Sequence, residues 1–233
     1  MKVCPVILFN NKQSVLEDIT CLQDKDYDFV ELRLDYYEDI DDRNKVIDLL
    51  KDVKHLLNKP VLTTIRSYNE GGNRLIEDEY YYSLYKDIIN NHLADYFDLE
   101  LSKDKIHNFE LIDYAHSHHI KVIMSYHNFN ETLDNDTLKS YVEEMEIMGA
   151  DIAKIAVMPR CKEDVVKDIN LNILLSSYMN IPVTIISMGE LGTITRVLGP
   201  MMGSYMTYVT IHNSAIGQIH IDDIKKYKEV HHD

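Results

Sequence analysis

The chain has 233 residues, of which 45% are hydrophobic, and this is enough for a folded core in one or two domains. Its 24 basic side chains are outnumbered by 39 acidic ones, which gives a formal net charge of −15. This charge argues against nucleic acid or an anionic membrane surface as the main partner, because both attract basic faces. An anionic substrate would have to be met by a local group of cations.

The cysteines and the N-terminus indicate the compartment. Cys4, Cys21 and Cys161 are odd in number, lie far apart and form no CxxC pair, which favours a reducing cytoplasm over a disulfide-stabilised secreted domain. The first residues lack the basic and apolar regions of a signal peptide. No apolar run approaches the ~20 residues of a membrane helix. We therefore expect a cytoplasmic protein with no membrane partner.

Eight short apolar runs alternate along the chain with longer amphipathic stretches. The runs predict strands at residues 3–8, 29–35, 60–66, 96–101, 121–126, 151–157, 182–188 and 204–209. The stretches between them, such as RNKVIDLLKDVKHLL and KEDVVKDINLNILLSSYM, are typical of helices. Eight strand–helix units in a chain of this length predict an α/β fold, a (β/α)8 barrel formed by a single domain over residues 1–233. An open doubly wound sheet is the alternative, which fewer strands would have favoured.

Several predicted strands alternate between apolar and polar side chains. Glu31 and Arg33 share one face of the second strand, and Asp98 and Glu100 share one face of the fourth. In a barrel the apolar face packs against helices and the other face points to the axis. Charges that point to the axis are costly unless they are paired. We therefore expect them near the open end of the barrel, where active sites of this fold lie.

A lysine interrupts the buried run DIAKIAV in the sixth predicted strand. Lys154 has the same parity as Ile152 and Ala156, so it would point to the barrel interior. One interpretation is structural, with a buried stem and an ammonium that reaches solvent or a carboxylate. The other is catalytic. Burial and nearby cations favour a neutral amine, and a neutral amine can attack a carbonyl to form a Schiff base.

Two further candidates follow predicted strands at the same end. His127 comes just after the fifth strand, where a histidine can accept and return protons near neutral pH. Glu70 comes just after the third strand, in a loop that contains Gly71 and Gly72. A carboxylate beside the histidine would fix its tautomer and raise its basicity. Considered separately, His127 is also consistent with a capping residue and Glu70 with a solvated loop residue.

The last two strands are followed by polar groups that suit a substrate. Arg196 comes after the seventh strand and could bind a carboxylate through two hydrogen bonds, the alternative being a surface helix arginine. Ser214 and Gln218 lie in a polar loop after the eighth strand that could close over a site. The run HSHH (116–119) lacks a further ligand at metal-site spacing, and no Walker or GxGxxG motif is present. The sequence thus predicts neither a metal nor a nucleotide cofactor.

Seven segments in order resemble the type I 3-dehydroquinate dehydratase family, the Schiff-base enzymes of the shikimate pathway. They are ELRLD (31–35), TIRSYNEGG (64–72), FDLEL (97–101), SYHNF (125–129), IAKIAVMP (152–159), ISMGELGTITR (186–196) and SAIGQI (214–219). Each segment is weak by itself, but their order is specific and covers nearly the whole chain. The resemblance implies a (β/α)8 barrel, a homodimer, 3-dehydroquinate as substrate, and no metal or nucleotide. Ile216 departs from it, since members often carry proline there.

The resemblance also implies roles for the candidate residues. Lys154 looks like the lysine that forms the imine with the C3 ketone. His127 looks like the base that removes a C2 proton and then helps the C1 hydroxyl to leave, and Glu70 is similar to the glutamate that orients this histidine. The remaining candidates resemble groups that hold the substrate: Glu31, Arg33 and Arg66 at its hydroxyls, Arg196 at its carboxylate, and Ser214 and Gln218 on the closing loop.

Two other functions stay open at this point. A class I aldolase would share the strand lysine, but it usually needs a phosphate site near the last two strands. The segments MGELG and SAIGQ offer no strong phosphate cradle there. A non-catalytic barrel that binds a metabolite is the other possibility, and it would not need Lys154, His127 and Glu70 together.

Overall fold

Strands and helices alternate along the chain in the computed structural model, which describes residues 1–212 and 217–224. The strands are β1 (Lys2–Leu8), β2 (Val30–Arg33), β3 (Val61–Thr64), β4 (Tyr96–Glu100), β5 (Lys121–Asn128), β6 (Ile152–Val157), β7 (Val183–Ser187), β8 (Met206–Thr210) and β9 (Ile219–His220). The α-helices with both ends among the described residues are α1 (Lys12–Leu22), α2 (Arg43–Leu56), α3 (Asp78–Asn90), α4 (Lys105–Ser117), α5 (Asn135–Ile147), α6 (Lys162–Tyr178) and α7 (Thr193–Val197). Residues 221–224 are also helical. Single 3-10 turns, Leu34–Tyr36 and Tyr68–Glu70, follow β2 and β3.

All the strands belong to one parallel sheet that closes on itself. Their order is β7-β6-β5-β4-β3-β2-β1-β8-β9. Strands β7 and β8 meet where the Tyr205 N–H donates to the Val183 carbonyl at 3.0 Å and the Met206 N–H donates to Thr184 Oγ1 at 3.1 Å. The prediction of a (β/α)8 barrel is therefore confirmed, and the open doubly wound alternative is wrong.

The eight predicted strands are all present, but the second and the third each end two residues earlier than their apolar runs suggested. The second gives way to the 3-10 turn Leu34–Tyr36. After Thr64 the Ile65 N–H donates to the hydroxyl of Tyr85, and the Arg66 N–H donates to Asp35. These side chains replace the neighbouring strand as hydrogen-bond acceptors. The chain consequently leaves the sheet at Thr64 and turns into the segment that carries Glu70.

The two faces of the strands have the composition that their alternation predicted. Leu32, Leu99 and Ile155 are fully buried in the large cluster between the barrel and its helices. A smaller apolar cluster fills the barrel interior, and Leu62 and Ile123 belong to it. None of the helices in the described part of the chain is both long and apolar enough to span a membrane.

Part of the acidic charge serves the helix ends. The side chains of Asp42, Asp104 and Asp134 accept backbone N–H groups at the start of α2, α4 and α5 respectively. A carboxylate at this position satisfies amides that have no partner within the helix and complements the positive end of the helix dipole. These aspartates therefore stabilise the outer helices and need no substrate to explain them.

Candidate active site

Lys154 lies in the barrel interior, in the middle of β6. The parallel ladder pairs it with Ser125 of β5, and His127 lies two residues further along the same face of that strand. Its side chain is buried, with 5% of the residue exposed. The Nζ atom lies 3.2 Å from Asp98 Oδ2 and 4.3 Å from the centroid of the Tyr208 ring. The lysine therefore has a buried carboxylate and an aromatic face as its immediate contacts.

Asp98 of β4 is fully buried and uses both of its oxygens. Oδ2 faces Lys154, while Oδ1 accepts the Ser125 hydroxyl at 2.6 Å and lies 2.9 Å from Arg66 Nη2. Burial would raise the pKa of Asp98, but Arg66 and Lys154 outweigh burial and lower this pKa to about 2. Asp98 is consequently an anion at neutral pH.

Arg66 joins this aspartate to a second buried carboxylate. Its Nη1 lies 3.0 Å from Glu100 Oε1 and donates to Ser125 Oγ at 2.9 Å. Glu100 Oε1 also accepts the Ser67 N–H at 2.7 Å. Both terminal nitrogens of Arg66 are therefore occupied by side chains of the barrel itself. Its predicted contact with the substrate hydroxyls stays a prediction.

His127 and Glu70 form a hydrogen-bonded pair above this network. Glu70 Oε2 lies 2.9 Å from His127 Nδ1 and accepts the backbone N–H of the same histidine at 3.0 Å, while Oε1 accepts the Ser102 hydroxyl. A cavity of about 440 Å³ opens beside the pair. Because Glu70 occupies Nδ1, the other ring nitrogen of His127 is Nε2, which has no hydrogen-bond partner among the described residues. The contact with Glu70 fixes the orientation of the ring and favours one tautomer.

Burial and neighbouring charges keep the imidazole neutral. Burial, followed by the charges of Arg66 and Lys154, lowers the pKa of His127 well below its usual value. Burial and the nearby Glu100 raise the pKa of Glu70 to about 8, although Arg66 opposes the shift. A neutral histidine with an unprotonated Nε2 is the form that a general base requires.

The end of β2 adds a second group of charges. Arg33 is partly buried, and its Nε and Nη2 atoms donate to the two oxygens of Asp35 at 2.8 and 2.9 Å. Glu31 is buried, and its Oε1 accepts the Thr64 hydroxyl at 2.7 Å. Both predicted residues thus point to the interior side of the strand, as their parity required, and each has a polar partner.

Arg196 of α7 is buried and has no carboxylate partner within residues 1–212 and 217–224. Its Nε donates to the Gly217 carbonyl at 3.0 Å. Burial lowers the pKa of Arg196 to about 10. Gly217 has a φ of +80°, and a Cβ there would lie 2.1 Å from the Gly189 carbonyl oxygen, so only glycine allows this approach. Among the described residues, Arg196 is therefore a buried cation whose hydrogen bond goes to a backbone carbonyl.

The loop after β8 is described only in part. Gln218 is partly buried and follows Gly217 directly. Ser214 and Ile216 lie outside the described residues. The predicted contribution of this loop to substrate binding stays a prediction.

A sequence model of the family described as type I 3-dehydroquinase matches residues 3–233. The chain belongs to the type I 3-dehydroquinase family. The family resemblance of the seven ordered segments is thereby confirmed, and it favours the dehydratase over the aldolase and the non-catalytic barrel.

Individual relatives agree with the family assignment. The 3-dehydroquinate dehydratase of Clostridium novyi (strain NT) is 36% identical, and the match covers 99% of this chain and 92% of that protein. The crystal structure of the type I 3-dehydroquinate dehydratase from Clostridium difficile superposes with a TM-score of 0.96 at 32% identity, covering 98% of this chain and 91% of that one. The dehydratase structure from Enterococcus faecalis gives a TM-score of 0.92 at 31% identity, covering 99% and 93% respectively.

The structure adds residues to the site of this type I 3-dehydroquinase that sequence reasoning did not assign. Asp98, Ser125 and Tyr208 lie within the network around Lys154, and Ser102 supports Glu70. The alternation of β4 had already indicated that Asp98 points inward. The sequence did not show which residue Asp98 contacts, because Lys154 lies two strands away and 56 residues later.

Proposed function

We propose that the chain catalyses the dehydration of 3-dehydroquinate to 3-dehydroshikimate through a Schiff base on Lys154. The observation that carries this proposal is a buried strand lysine that shares the inner face of β5 and β6 with a neutral histidine held by Glu70. A binding protein would have no use for this combination. An enzyme that activates a carbon beside a ketone needs both the amine and the base.

The first half of the reaction forms the imine. The Lys154 ammonium gives up one proton, and the neutral Nζ attacks the C3 carbonyl carbon. The carbonyl oxygen leaves as water with that proton and a second one from the nitrogen, which leaves a protonated imine with one N–H bond. This iminium withdraws electrons from C2, so that its C–H bond becomes acidic enough for a histidine to break. His127 Nε2 takes the C2 proton and the electron pair moves towards the nitrogen, which gives an enamine.

The second half expels the hydroxyl on the neighbouring carbon. The enamine returns its electrons, the C1–O bond breaks, and His127 donates its proton to the leaving hydroxyl as water. Hydrolysis of the new iminium consumes one water and frees Lys154, so the net reaction releases one water. One histidine serves both steps because the proton and the hydroxyl leave from adjacent carbons. Glu70 keeps the imidazole in one orientation throughout.

Substrate binding is assigned to charged and polar side chains around the mouth of the barrel. Arg196, which has no carboxylate partner among the described residues, would bind the substrate carboxylate. Glu31, Arg33 and Arg66 would hold the hydroxyls, with Ser214 and Gln218 on the loop after β8. An anion at Arg196 would neutralise a buried charge that has no carboxylate partner in residues 1–212 and 217–224, which gives the site a reason to prefer a carboxylate-bearing ring in an otherwise acidic protein.

A relative's ligand supports the covalent part of the proposal. The Clostridium difficile structure contains covalently modified comenic acid. The proposal also includes one catalytic domain over residues 1–233, a cytoplasmic location and a homodimer. Two exposed cysteines, Cys21 and Cys161, suit a reducing compartment, and light scattering of the purified chain would test the dimer.

Trapping of the imine tests the proposal. The protein is mixed with 3-dehydroquinate and borohydride, and the intact mass and the modified peptide are determined. We expect a stable adduct on the peptide that contains Lys154, with none in the Lys154→Met variant, together with formation of 3-dehydroshikimate without reductant. Turnover without an adduct would reject the Schiff base, and absence of both would reject the substrate.

A further inference from the structure

We propose that Asp98 is the counter-ion that keeps the nitrogen of the Lys154 Schiff base protonated, with the Tyr208 ring as a second contact of that nitrogen. The inference rests on the proposed function, because it concerns the imine formed on Lys154. It assigns a catalytic role to a residue that the sequence placed in the interior without a function.

The contacts of Asp98 show that it is positioned for one neighbour. Oδ2 lies 3.2 Å from Lys154 Nζ, whereas the Ser125 hydroxyl and Arg66 Nη2 both contact Oδ1. The backbone carbonyl of Asp98 accepts the Tyr85 hydroxyl at 2.7 Å. Contacts to both the backbone and Oδ1 therefore fix the residue, and Oδ2 is directed at the nitrogen that would become the imine.

The proton on that nitrogen decides whether the imine is useful. A protonated imine accepts the C2 electron pair and becomes a neutral enamine. A neutral imine would have to become an anion, which is far less favourable. Throughout the reaction the nitrogen keeps its N–H bond. In the iminium the nitrogen is a cation opposite Asp98 Oδ2. In the enamine it is neutral and donates a hydrogen bond to the same oxygen. No proton is transferred to Asp98, which stays ionised because its pKa is about 2.

The contact with the Tyr208 ring also favours a positive charge on the nitrogen. Lys154 Nζ lies 4.3 Å from the centroid of the Tyr208 ring, a distance at which the face of the ring attracts a cation. The Tyr208 hydroxyl points to Met206 Sδ at 3.6 Å, so the ring face, and not the hydroxyl, serves the nitrogen. A carboxylate and a ring face thus both favour a positive charge at one atom inside the barrel.

Other charged or titratable groups surround the same space, and they determine the controls. They are Cys4 of β1, Glu31 and Arg33 of β2, Arg66 and Glu70 after β3, Glu100 of β4, His127 of β5 and Tyr208 of β8. Glu100 is the best comparison, because it lies on the same strand and face as Asp98 and is equally buried. Its contacts are to Arg66 and Ser67, and its Oε2 has no hydrogen-bond partner among the described residues.

The test measures the protonation of the imine directly. Wild type, Asp98→Asn and Glu100→Gln are each mixed with 3-dehydroquinate and cyanoborohydride, which reduces protonated imines, and the adduct on the Lys154 peptide is quantified across the neutral and alkaline pH range. We expect trapping by wild type to fall at an alkaline limit. In Asp98→Asn this limit should move down by about one to three pH units, because a carboxylate within 4–6 Å shifts a cationic acid by about that much. The limit in Glu100→Gln should move less.

The outcomes separate the two proposals. A wild type that gives no adduct rejects the Schiff base and this inference together. If wild type is trapped and Asp98→Asn has the same pH profile of trapping, the inference alone is rejected. The inference is also rejected if the alkaline limit shifts as far in Glu100→Gln as in Asp98→Asn. Circular dichroism establishes that each variant is folded.

A second pair of variants covers the case in which Asp98→Asn does not fold. Tyr208→Phe keeps the ring face and should keep the alkaline limit of trapping. Tyr208→Leu removes the ring and should lower the limit by roughly half to one pH unit, as the loss of a buried cation–π contact requires. If the alkaline limit of trapping is unchanged in Tyr208→Leu, or shifts equally in both Tyr208 variants, the role of the ring is overturned. If Asp98→Asn does not fold, the same result also overturns the counter-ion assignment.

Discussion

The barrel interior has two layers, and they differ in kind. In the lower layer, Leu62, Ile123 and Ile152 belong to an apolar cluster. Two residues further along the same strands, on the same inward face, the upper layer begins with Thr64, Ser125 and Lys154. On β3, β5 and β6 the barrel interior therefore changes from an apolar core to a polar network between one inward-facing residue and the next.

The two layers also contribute differently to stability. Burial of each large apolar side chain in the lower layer stabilises the fold by about 1.5–3 kcal/mol. The upper layer buries Lys154, Arg66, Asp98 and Glu100, and the cost of removing these charges from water offsets much of their mutual attraction. A network of this kind contributes little to the free energy of unfolding, but it holds a reactive amine and its counter-ion in fixed positions. The lower layer maintains the barrel, and the upper layer serves the chemistry.

The largest effect is expected from Lys154→Met. Without the amine there is no imine, so we expect turnover to fall by on the order of 10⁴-fold or more. Borohydride should leave no adduct, and the thermal midpoint should change little in comparison because Arg66 still pairs with Asp98. The matched control is Lys121→Met, an exposed lysine at the start of β5, which should keep wild-type turnover. Wild-type turnover in Lys154→Met would show that the upper layer has no role in the chemistry.

The second effect separates the base from the nucleophile. In His127→Ala we expect turnover to fall by about 10²–10⁴-fold, the usual contribution of general acid–base catalysis. The imine should still form, so borohydride should trap an adduct on Lys154. His116→Ala is the control, since His116 is exposed and contacts Asp151 far from the site. Loss of both turnover and trapping in a folded His127→Ala would show that the histidine is needed before proton removal.

The third effect belongs to the lower layer. Ile123→Ala removes buried methyl groups two residues before Ser125 and should lower the free energy of unfolding by about 2–5 kcal/mol. Below the unfolding transition, kcat should change by less than about twofold, because no contact of Lys154 or Asp98 is lost. Denaturant titration and steady-state kinetics check the two halves of this prediction. A much larger fall in kcat would mean that the two layers are coupled.

The layering itself could be predicted from the sequence, because side chains in a strand alternate with a period of two. Parity alone placed Lys154, Glu31 and Asp98 inside the barrel. It also placed Leu32 and Leu99 against the helices. Glu70 follows β3 as predicted, whereas β5 extends two residues beyond its predicted end and includes His127. The sequence was still enough to predict that both residues lie at the same end of the barrel.

The pairings inside the upper layer could not be predicted in this way. The contact between Asp98 and Lys154 depends on the register of β4, β5 and β6 with respect to one another, and no pattern within a single strand contains that register. The contact between Glu70 and His127 spans 57 residues and needs the turn after Thr64, which Tyr85 and Asp35 induce from other elements.

The smallest effect concerns the carboxyl group that joins the upper layer to the mouth of the barrel. The folded protein raises the pKa of Glu70 to about 8, from an ordinary value of 4.5, mainly through burial. The folded state therefore binds this proton more tightly than the unfolded state does. The stability it contributes is complete below pH 4.5 and is lost as the pH rises through about 8.

Glu70→Gln removes this ionisation while an amide oxygen can still accept the His127 N–H. Relative to wild type, the thermal midpoint of the variant should therefore rise between pH 4.5 and about 8, by roughly 2 °C or more, and level off above that range. Glu110→Gln, an exposed change on α4, should show a constant difference over the same range. A difference between Glu70→Gln and wild type that stays constant or falls with pH would show that Glu70 is ionised at neutral pH. In that case the pair carries a negative charge, and a carboxylate instead of a neutral carboxyl group accepts the His127 N–H groups.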